Sequence, residues 1–262
     1  MLLNYLRDLV QHTAGLGINA LKITGTNGTV VVEGTDETNK SLVIKGSFLN
    51  PVTEFEGVCG LGDLEWLASY VNAYKHKDDV ATVKRVDKEV EEPVVNDNGE
   101  AMKDEDGNPV TQRVTKSVVE EIRFSRGTQM KNDYRVMDLR LLDPQKKLAA
   151  IQWDVEFEPT QQAINFLATQ AGLNIEKFFG VKVDDGTMYL TFGNTAVIEF
   201  ATDVEGDITK AWTWEIKRVF DILKMASEAE CTMSFSDRGV LKIALNTGLS
   251  EYNYILPARA GA

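Results

Sequence analysis

The sequence predicts an α+β protein made of two similar halves, each with two helices packed on antiparallel sheets. The prediction depends on an amphipathic helix at 215–228, whose apolar residues recur at i, i+3, i+4 and i+7 and therefore share one helix face. The same spacing occurs in the first half, with an offset of 152 residues between Leu64 and Ile216. The two sets are Leu64, Leu67, Ala68 and Val71, and Ile216, Val219, Phe220 and Leu223.

An earlier pair of helices repeats in the same way, with an offset of 158 residues between Leu6 and Ile164. The matching sets are Leu6, Leu9, Val10 and Thr13, and Ile164, Leu167, Ala168 and Ala171. Sequence identity between the halves is low, so the repeat is one of pattern and element order.

The first half has the order helix, strands, helix, strands. We expect helices over 1–14 and 60–75, and strands over 18–23, 30–33, 41–48 and 52–59. Gly15 and Gly17 end the first helix, Asn27-Gly28 is a hairpin turn, and Asp63 is placed to cap the second helix.

Residues 87–116 differ in composition from the chain around them. They are rich in Asp and Glu, contain few apolar residues, and include the turn dipeptides Asn98-Gly99 and Asp106-Gly107. We expect an acidic insertion that forms an extended hairpin arm. Strand character resumes at 118–124 and 134–142.

A polar, Pro-containing stretch at 143–150 is the predicted linker between an N-terminal domain (1–142) and a C-terminal domain (151–262). The second half repeats the element order. We expect strands over 151–157, 179–183, 188–192, 195–201, 212–214, 231–235, 240–245 and 252–257, with helices over 160–171 and 215–228.

Composition places the chain among globular proteins, with 43% hydrophobic and 26% charged residues. It has no apolar run long enough to span a membrane and no signal-peptide pattern. Cys59 and Cys231 favour buried free thiols in a reducing compartment, with a disulfide between them as the less favoured alternative. We therefore expect the cytoplasm, that of the host cell if the protein is viral. The net charge of −12 disfavours nucleic acid as a partner, unless basic residues gather on one inner face.

No catalytic or metal-binding motif is present in the sequence. His12 and His76 do not stand at metal-ligand spacings, and no dinucleotide or phosphate-loop fingerprint occurs. The stretch 104–108 lacks the spacing and the terminal Glu of a calcium loop. We therefore expect no enzyme activity, no metal and no cofactor.

The order of elements resembles that of DNA sliding clamps, the rings that tether a replicative polymerase to its template. Four segments are similar to clamp segments: 36–43 after the first hairpin, 134–139 leading into the linker, 161–193 in the second domain of phage clamps, and 254–258 at the C-terminus. The acidic insertion departs from the family pattern. The resemblance implies a homotrimeric ring of DNA-clamp fold, with double-stranded DNA, a DNA polymerase and a clamp loader as partners.

The resemblance also implies three sets of functional residues. The DNA-facing candidates are basic residues on or beside the four repeated helices: Arg7, Lys75, Lys77, Lys217, Arg218 and Lys224. The candidates for pairing between subunits lie in two β-prone runs: Val118, Ile122 and Phe124, and Val197, Ile198 and Phe200. The candidates for an apolar groove that binds a partner peptide are Asn39, Leu141, Leu142, Pro144, Tyr254, Leu256 and Pro257.

Two other hypotheses stay open at this point. In the first, the chain is an acidic viral structural or scaffold β protein without a DNA role. In the second, it is an enzyme whose catalytic groups carry no recognisable motif. For each candidate site residue a structural role is the alternative: a mixed-charge helix face is an ordinary surface pattern, and alternation makes Tyr254 or Leu256 a core residue.

Overall fold

The structure is a computed structural model that describes residues 1–36, 41–94, 96, 102–104, 107–142, 150–173 and 177–260. Its helices are α1 (Leu2–Thr13), α2 (Leu64–Ala73), α3 (Gln161–Leu173) and α4 (Ile216–Leu223). A 3₁₀ turn, Lys224–Glu228, continues α4. No helix among the described residues is long and apolar enough to cross a lipid bilayer.

The strands of the first half are β1 (Ala20–Thr26), β2 (Thr29–Thr35), β3 (Val43–Phe48), β4 (Gly57–Gly62), β5 (Asp79–Pro93), β6 (Thr111–Arg126) and β7 (Met130–Arg135). Those of the second half are β8 (Val155–Phe157), β9 (Phe178–Asp184), β10 (Thr187–Phe192), β11 (Ala196–Ala201), β12 (Trp212–Glu215), β13 (Glu230–Ser236), β14 (Val240–Asn246), β15 (Ser250–Pro257) and β16 (Arg259–Ala260).

These strands form three antiparallel sheets. An eight-stranded sheet has the order β4-β1-β2-β3-β15-β14-β13-β8, so it passes from the first half to the second where β3 pairs with β15. A five-stranded sheet has the order β11-β10-β9-β12-β16, and a three-stranded sheet has the order β5-β6-β7. The two halves therefore share one continuous sheet, and each has a smaller sheet of its own.

On α2 and α4 the helices bury three of the four residues that their spacing predicts and leave Ala68 and Phe220 half-buried. Leu64, Leu67 and Val71 are buried on α2, and Ile216, Val219 and Leu223 are buried at the equivalent positions of α4. Within each half the helices pack as pairs, α1 with α2 and α3 with α4. The predicted α+β fold of two repeated halves is confirmed, because the same apolar stripe turns inward in both.

Of three local predictions, one is confirmed, one needs correction and one stays untested. Asp63 caps α2 as expected, accepting a hydrogen bond from the Trp66 N–H at 3.1 Å. The stretch 134–142 is not a continuous strand: β7 ends at Arg135, and Leu139–Leu141 forms a 3₁₀ turn capped by Asp138. The linker residues 143–149 lie outside the described residues, so the domain division stays a prediction.

The predicted arm is an outward continuation of the three-stranded sheet. β5 and β6 pair without interruption from Asp79 opposite Arg126 to Pro93 opposite Thr111, with one bulge between Lys84 and Arg85. The insertion therefore contains a pair of antiparallel strands whose pairing begins inside the folded body. The predicted turn dipeptides lie outside the described residues, Asn98-Gly99 entirely and Asp106-Gly107 in part.

Arg218 ties the two halves together next to the shared sheet. Its guanidinium donates hydrogen bonds to the carbonyl of Leu16, which follows α1, and to Oδ2 of Asp36 at 2.8 Å. The side chains of Arg218 and Asp36 are 15% and 1% exposed. The ion pair is thus largely withdrawn from water, where the loss of one partner is costly.

We expect Arg218→Met to lower the free energy of unfolding by about 2–4 kcal/mol, because Asp36 would then keep a buried charge without its guanidinium. The matched control is Lys217→Met on the next residue, whose side chain is 80% exposed. The control should change stability by less than about 0.5 kcal/mol. Urea unfolding compares the two variants, and equal losses would contradict a tie between the halves.

Candidate functional site

The open strand edges decide where another copy of the chain can pair. β7 is the last strand of the three-stranded sheet and β11 is the last strand of the five-stranded sheet, so each leaves one edge unpaired among the described strands. An unpaired edge presents a row of backbone N–H and C=O groups to any complementary strand.

The predicted pairing strand at 118–124 is wrong by one strand. It lies in β6, whose residues from Glu121 to Arg126 pair with β5 on one side and β7 on the other. Ile122 and Phe124 are fully buried in their own core, and Val118 pairs with Val86 at the base of the arm. The part of β6 from Glu121 to Arg126 is bonded on both sides and cannot accept a third strand, so the open edge beside it belongs to β7.

The second predicted run coincides with β11, which is an edge strand. Val197 is 62% exposed. Ile198 is half-buried, and Phe200 is buried against Phe157, with the two rings edge-on and their centroids 6.0 Å apart. Val197 is therefore the one of these three that presents a largely exposed apolar side chain.

Large apolar side chains stand exposed next to both edges. Trp66 on α2 is 56% exposed and lies edge-on to Tyr70, which in turn contacts Tyr134 of β7. Phe166 is 47% exposed on α3, the helix that packs on β11. The sequence analysis did not single out either residue. Both lie outside the apolar stripe of their helices. A large apolar residue on the polar side of an amphipathic helix is the sequence signal that could have identified them.

The basic candidates fall into three groups. Arg218 is committed to Asp36 and the Leu16 carbonyl, and Arg7 donates to Asn4 at 3.0 Å and to the Tyr74 carbonyl. The prediction that these two face DNA is not supported by their positions, because intramolecular acceptors already hold their guanidinium groups.

Lys217 and Lys224 are exposed but share one acidic partner. Their Nζ atoms lie 2.6 and 2.7 Å from the carboxylate of Asp221. Burial raises the pKa of Asp221, yet the hydrogen bonds from Lys217 and Lys224 outweigh it and leave that pKa below its ordinary value. The carboxylate offsets part of the positive charge on this helix face.

Lys75 and Lys77 are the candidates that stay most available. They are exposed in the loop between α2 and β5, and neither has an ion-pair partner within the described residues. Exposed lysines of this kind make weak, sequence-independent contacts with phosphate.

Only some of the residues predicted to line the partner groove are described by the structure and lie at its surface. Asn39 and Pro144 lie outside the described residues. Leu141 is 73% exposed on the 3₁₀ turn that precedes the linker, and Leu142 lies over β4, with its Cδ1 3.0 Å from the position of a Cβ added at Gly60. A side chain at Gly60 would crowd Leu142 and Met137, which favours glycine at this position.

Tyr254 and Leu256 are core residues, so their assignment to the groove is wrong. Both are almost fully buried, and the Tyr254 hydroxyl donates to the His12 carbonyl at 3.0 Å. Burial raises the pKa of Tyr254 well above its ordinary value. Side chains alternate along a strand, so Ile255 and Pro257 point to the opposite face of β15. Of the three predicted groove residues on β15, which are Tyr254, Leu256 and Pro257, only Pro257 is exposed.

Other ionisable groups have structural roles. His12 is buried, with Nδ1 2.8 Å from the Asp8 carbonyl and its ring stacked on Tyr252. Cys59 and Cys231 are free thiols, and burial raises the pKa of each to about 12. Within the described ranges, no group of three or more His, Cys, Asp and Glu side chains is placed to hold a metal ion.

No protein-family model and no curated protein matches the chain. Solved structures do match it over nearly its whole length. PCNA of A. fulgidus, in a complex with the C-terminal region of FEN-1, has a TM-score of 0.69 at 10% identity, covering 99% of this chain and 97% of that chain. The chain has the sliding-clamp fold.

Two further clamps match at similar levels. Proliferating Cellular Nuclear Antigen of Entamoeba histolytica has a TM-score of 0.64 at 11% identity, covering 98% of this chain and 95% of that one. PCNA of Thermococcus kodakaraensis has a TM-score of 0.63 at 12% identity, covering 98% and 96%. The clamp fold expected from the element order is therefore confirmed.

We expect Tyr254→Ala to lower the free energy of unfolding by about 3–5 kcal/mol, because it removes a buried aromatic ring. Pro257→Ala, three residues along the same strand, should change it by less than about 1 kcal/mol. Chemical denaturation of both variants tests the face assignment. A small loss of unfolding free energy for Tyr254→Ala would contradict a core position and support the assignment of Tyr254 to the groove.

Proposed function

We propose that the protein is a sliding clamp: a closed ring of three copies that encircles double-stranded DNA and tethers a DNA polymerase. The clamp fold with an open edge and an exposed aromatic side chain on each smaller sheet supports this proposal best. The function is passive, since a ring that moves along DNA needs no catalytic group and no base-specific contact.

Ring closure follows from the two different edges. β7 of one copy pairs with β11 of the next, and Trp66 packs against Phe166 and Val197 across the joint. Because the two surfaces differ, the contact is head-to-tail, and such contacts generate a ring when the rotation closes. Burial of three exposed apolar side chains stabilises the joint and removes two aggregation-prone edges.

DNA is held by weak, non-specific attraction. Lys75 and Lys77 contribute positive charge beside α2, while Asp221 moderates Lys217 and Lys224 on α4. A chain of net charge −12 otherwise repels phosphate, so the duplex is kept in place by topology rather than by affinity. This arrangement suits sliding.

Partner proteins dock on the linker side of the molecule. Leu141 is exposed there, and Leu139 beside it is 41% exposed. Apolar anchors of a short peptide fit such a surface. In the A. fulgidus complex the partner is the C-terminal region of FEN-1. For this chain the proposed partners are a replicative polymerase and a clamp loader.

The two alternative functions, a scaffold protein and an enzyme, explain fewer of these observations. A scaffold protein of acidic β type would explain the strands but not the paired helices repeated in both halves. An enzyme would use ionisable groups that a substrate can reach in a cleft, whereas His12, Asp8 and Tyr252 are buried together in the core.

The test is topological. Dissociated chains reassemble in the presence of nicked circular duplex DNA, and the complex is washed with concentrated salt, which removes electrostatic contacts. We expect the wild-type protein to stay on the intact circle and to leave once the circle is cut. A protein that salt strips from the intact circle would contradict encirclement.

Interface variants make the same experiment specific. Trp66→Lys and Phe166→Lys should each reduce retention about tenfold or more, because each places a charge in the joint. The matched control is Leu49→Lys, an exposed leucine at the end of β3 that should be retained like the wild type. Equal retention of all three variants would move the joint elsewhere.

A further inference from the structure

Gly60 and Gly62 leave part of one face of β4 without side chains. Side chains alternate along a strand, so both glycines belong to the same face, while Cys59 and Leu61 on the opposite face are buried in the core. Neither glycine has a positive φ, so the backbone conformation does not by itself require glycine. A glycine inside a strand weakens it, and it commonly marks a close approach of another part of the chain.

The segment that follows β7 makes this close approach. The Met137 N–H donates to the Gly60 carbonyl at 2.7 Å, as an isolated antiparallel bridge. A Cβ at Gly60 would lie 3.1 Å from the Met137 carbonyl oxygen, and a Cβ at Gly62 would collide with Cε of the Met137 side chain. Met137 can therefore lie directly on the strand because both positions are glycine.

The far end of the same segment returns to the same glycine. Cδ1 of Leu142 is 3.0 Å from the Cβ position at Gly60, and Cβ of Met137 is 3.3 Å from it. We call residues 137–142 the leucine turn. Both of its ends lie on Gly60, so the residues between them form a loop that is closed at its base.

Hydrogen bonds inside the leucine turn fix its shape. The Leu141 N–H donates to the Asp138 carbonyl at 2.9 Å, and the Leu142 N–H donates to the Leu139 carbonyl at 3.2 Å. The Asp138 side chain caps the turn by accepting from the Arg140 N–H at 3.0 Å. The exposed pair Leu139 and Leu141 is thus held between two ends that are fixed on β4.

The charge between the two leucines is balanced within the turn. The Arg140 guanidinium donates to both oxygens of the Asp138 carboxylate, at 3.1 and 2.6 Å. These hydrogen bonds hold the pKa of that carboxyl at about 2, so the ion pair persists at neutral pH. The turn therefore presents two leucines beside an ion pair of no net charge, which fits an apolar segment better than a highly charged one.

We propose that Gly60 and Gly62 are positioning residues for partner binding: they let the leucine turn lie directly on β4 in one fixed shape, ready for an apolar segment of a partner protein. The proposal rests on the proposed function, which places partner docking at these leucines. A loop that is already ordered loses little conformational freedom on binding. A loosened loop is competent for only a fraction of the time, and its apparent affinity falls by that fraction.

A synthetic peptide measures the docking. The probe is a short labelled peptide in which leucine and phenylalanine alternate with serine, and the reference peptide has alanine in place of the large apolar residues. Fluorescence anisotropy with the full-length wild-type protein should show binding of the probe about tenfold or more tightly than the reference, and Leu141→Ser should remove that difference. Leu49→Ser, at an exposed leucine outside the turn, is the control and should bind like the wild type.

Gly60→Ala tests the positioning role. The added methyl meets the Met137 carbonyl and Leu142, so it should displace the turn and weaken binding of the probe about tenfold. The matched control is Gly172→Ala in α3, where an added methyl meets nothing within 4 Å, and it should leave the affinity unchanged.

Hydrogen exchange distinguishes a loosened turn from a lost contact. Deuterium uptake of residues 137–142, followed by mass spectrometry, should be faster in free Gly60→Ala than in the wild type, and bound probe should restore the wild-type rate. Uptake in β1, which pairs with β4, should not change. Unchanged affinity of Gly60→Ala, or weaker affinity with unchanged uptake in the turn, would overturn the proposal, and so would faster uptake in β1.

Gly62 provides a second variant that does not depend on Gly60. The three atoms nearest to a Cβ at Gly62 all belong to the Met137 side chain, whereas the Gly60 methyl also meets backbone. Gly62→Ala should therefore weaken the probe less than Gly60→Ala does. Adding Met137→Ala should restore the affinity of Gly62→Ala but not that of Gly60→Ala, and equal restoration in both would contradict the contacts that carry the proposal.

The outcomes for the turn are separable from those for the ring. Failure of the wild type to bind the probe would overturn docking at the leucine turn and this proposal with it, while encirclement would still be decided on nicked circular DNA. We expect Gly60→Ala to stay on the intact circle like the wild type. Its loss from the circle would show that Gly60 supports the joint between copies, and would overturn the positioning role.

Discussion

The pairing of β3 with β15 is the interaction on which the rest of the structure depends. Six residues of each strand lie opposite one another, from Ser250 opposite Phe48 to Ile255 opposite Val43. This contact makes one eight-stranded sheet from two halves that are distant in sequence, and Arg218 reinforces it from α4. A rigid unit of two halves fixes the direction in which the edges of β7 and β11 point, as a head-to-tail ring requires.

The same constraint separates the functional surfaces. The paired helices lie against the sheets and bury their apolar stripes, whereas Trp66 on α2 and Phe166 on α3 stay exposed beside the edges of the smaller sheets. The exposed leucines Leu139 and Leu141 stand in the 3₁₀ turn that follows β7. In the proposed clamp, weak attraction to DNA and apolar attraction to protein would therefore use different parts of one scaffold, and neither would need a reactive group.

The sequence predicts the helices well and the strand neighbours poorly, for identifiable reasons. Helical periodicity reports burial directly, and Leu67 and Val219 are buried as their spacing requires. The run 118–124 is β-prone because β6 is central and partly buried. The edge strand β7 carries the charged residues Lys131 and Asp133, so its sequence is not predicted as a pairing strand. Strand alternation identifies two faces but not which one is the core, hence the error at Tyr254. The ion pair between Arg218 and Asp36 joins residues that are 182 positions apart, and no local sequence pattern can predict such a contact.

Electron microscopy of the purified full-length protein tests the central claim most directly. A chain of 29.1 kDa that closes by pairing β7 with β11 should give class averages of a ring with six similar lobes and an open centre, at three times the chain mass. Two-lobed single particles, or an open filament of the same head-to-tail contact, would contradict the closed ring and with it the proposal that this clamp encircles DNA.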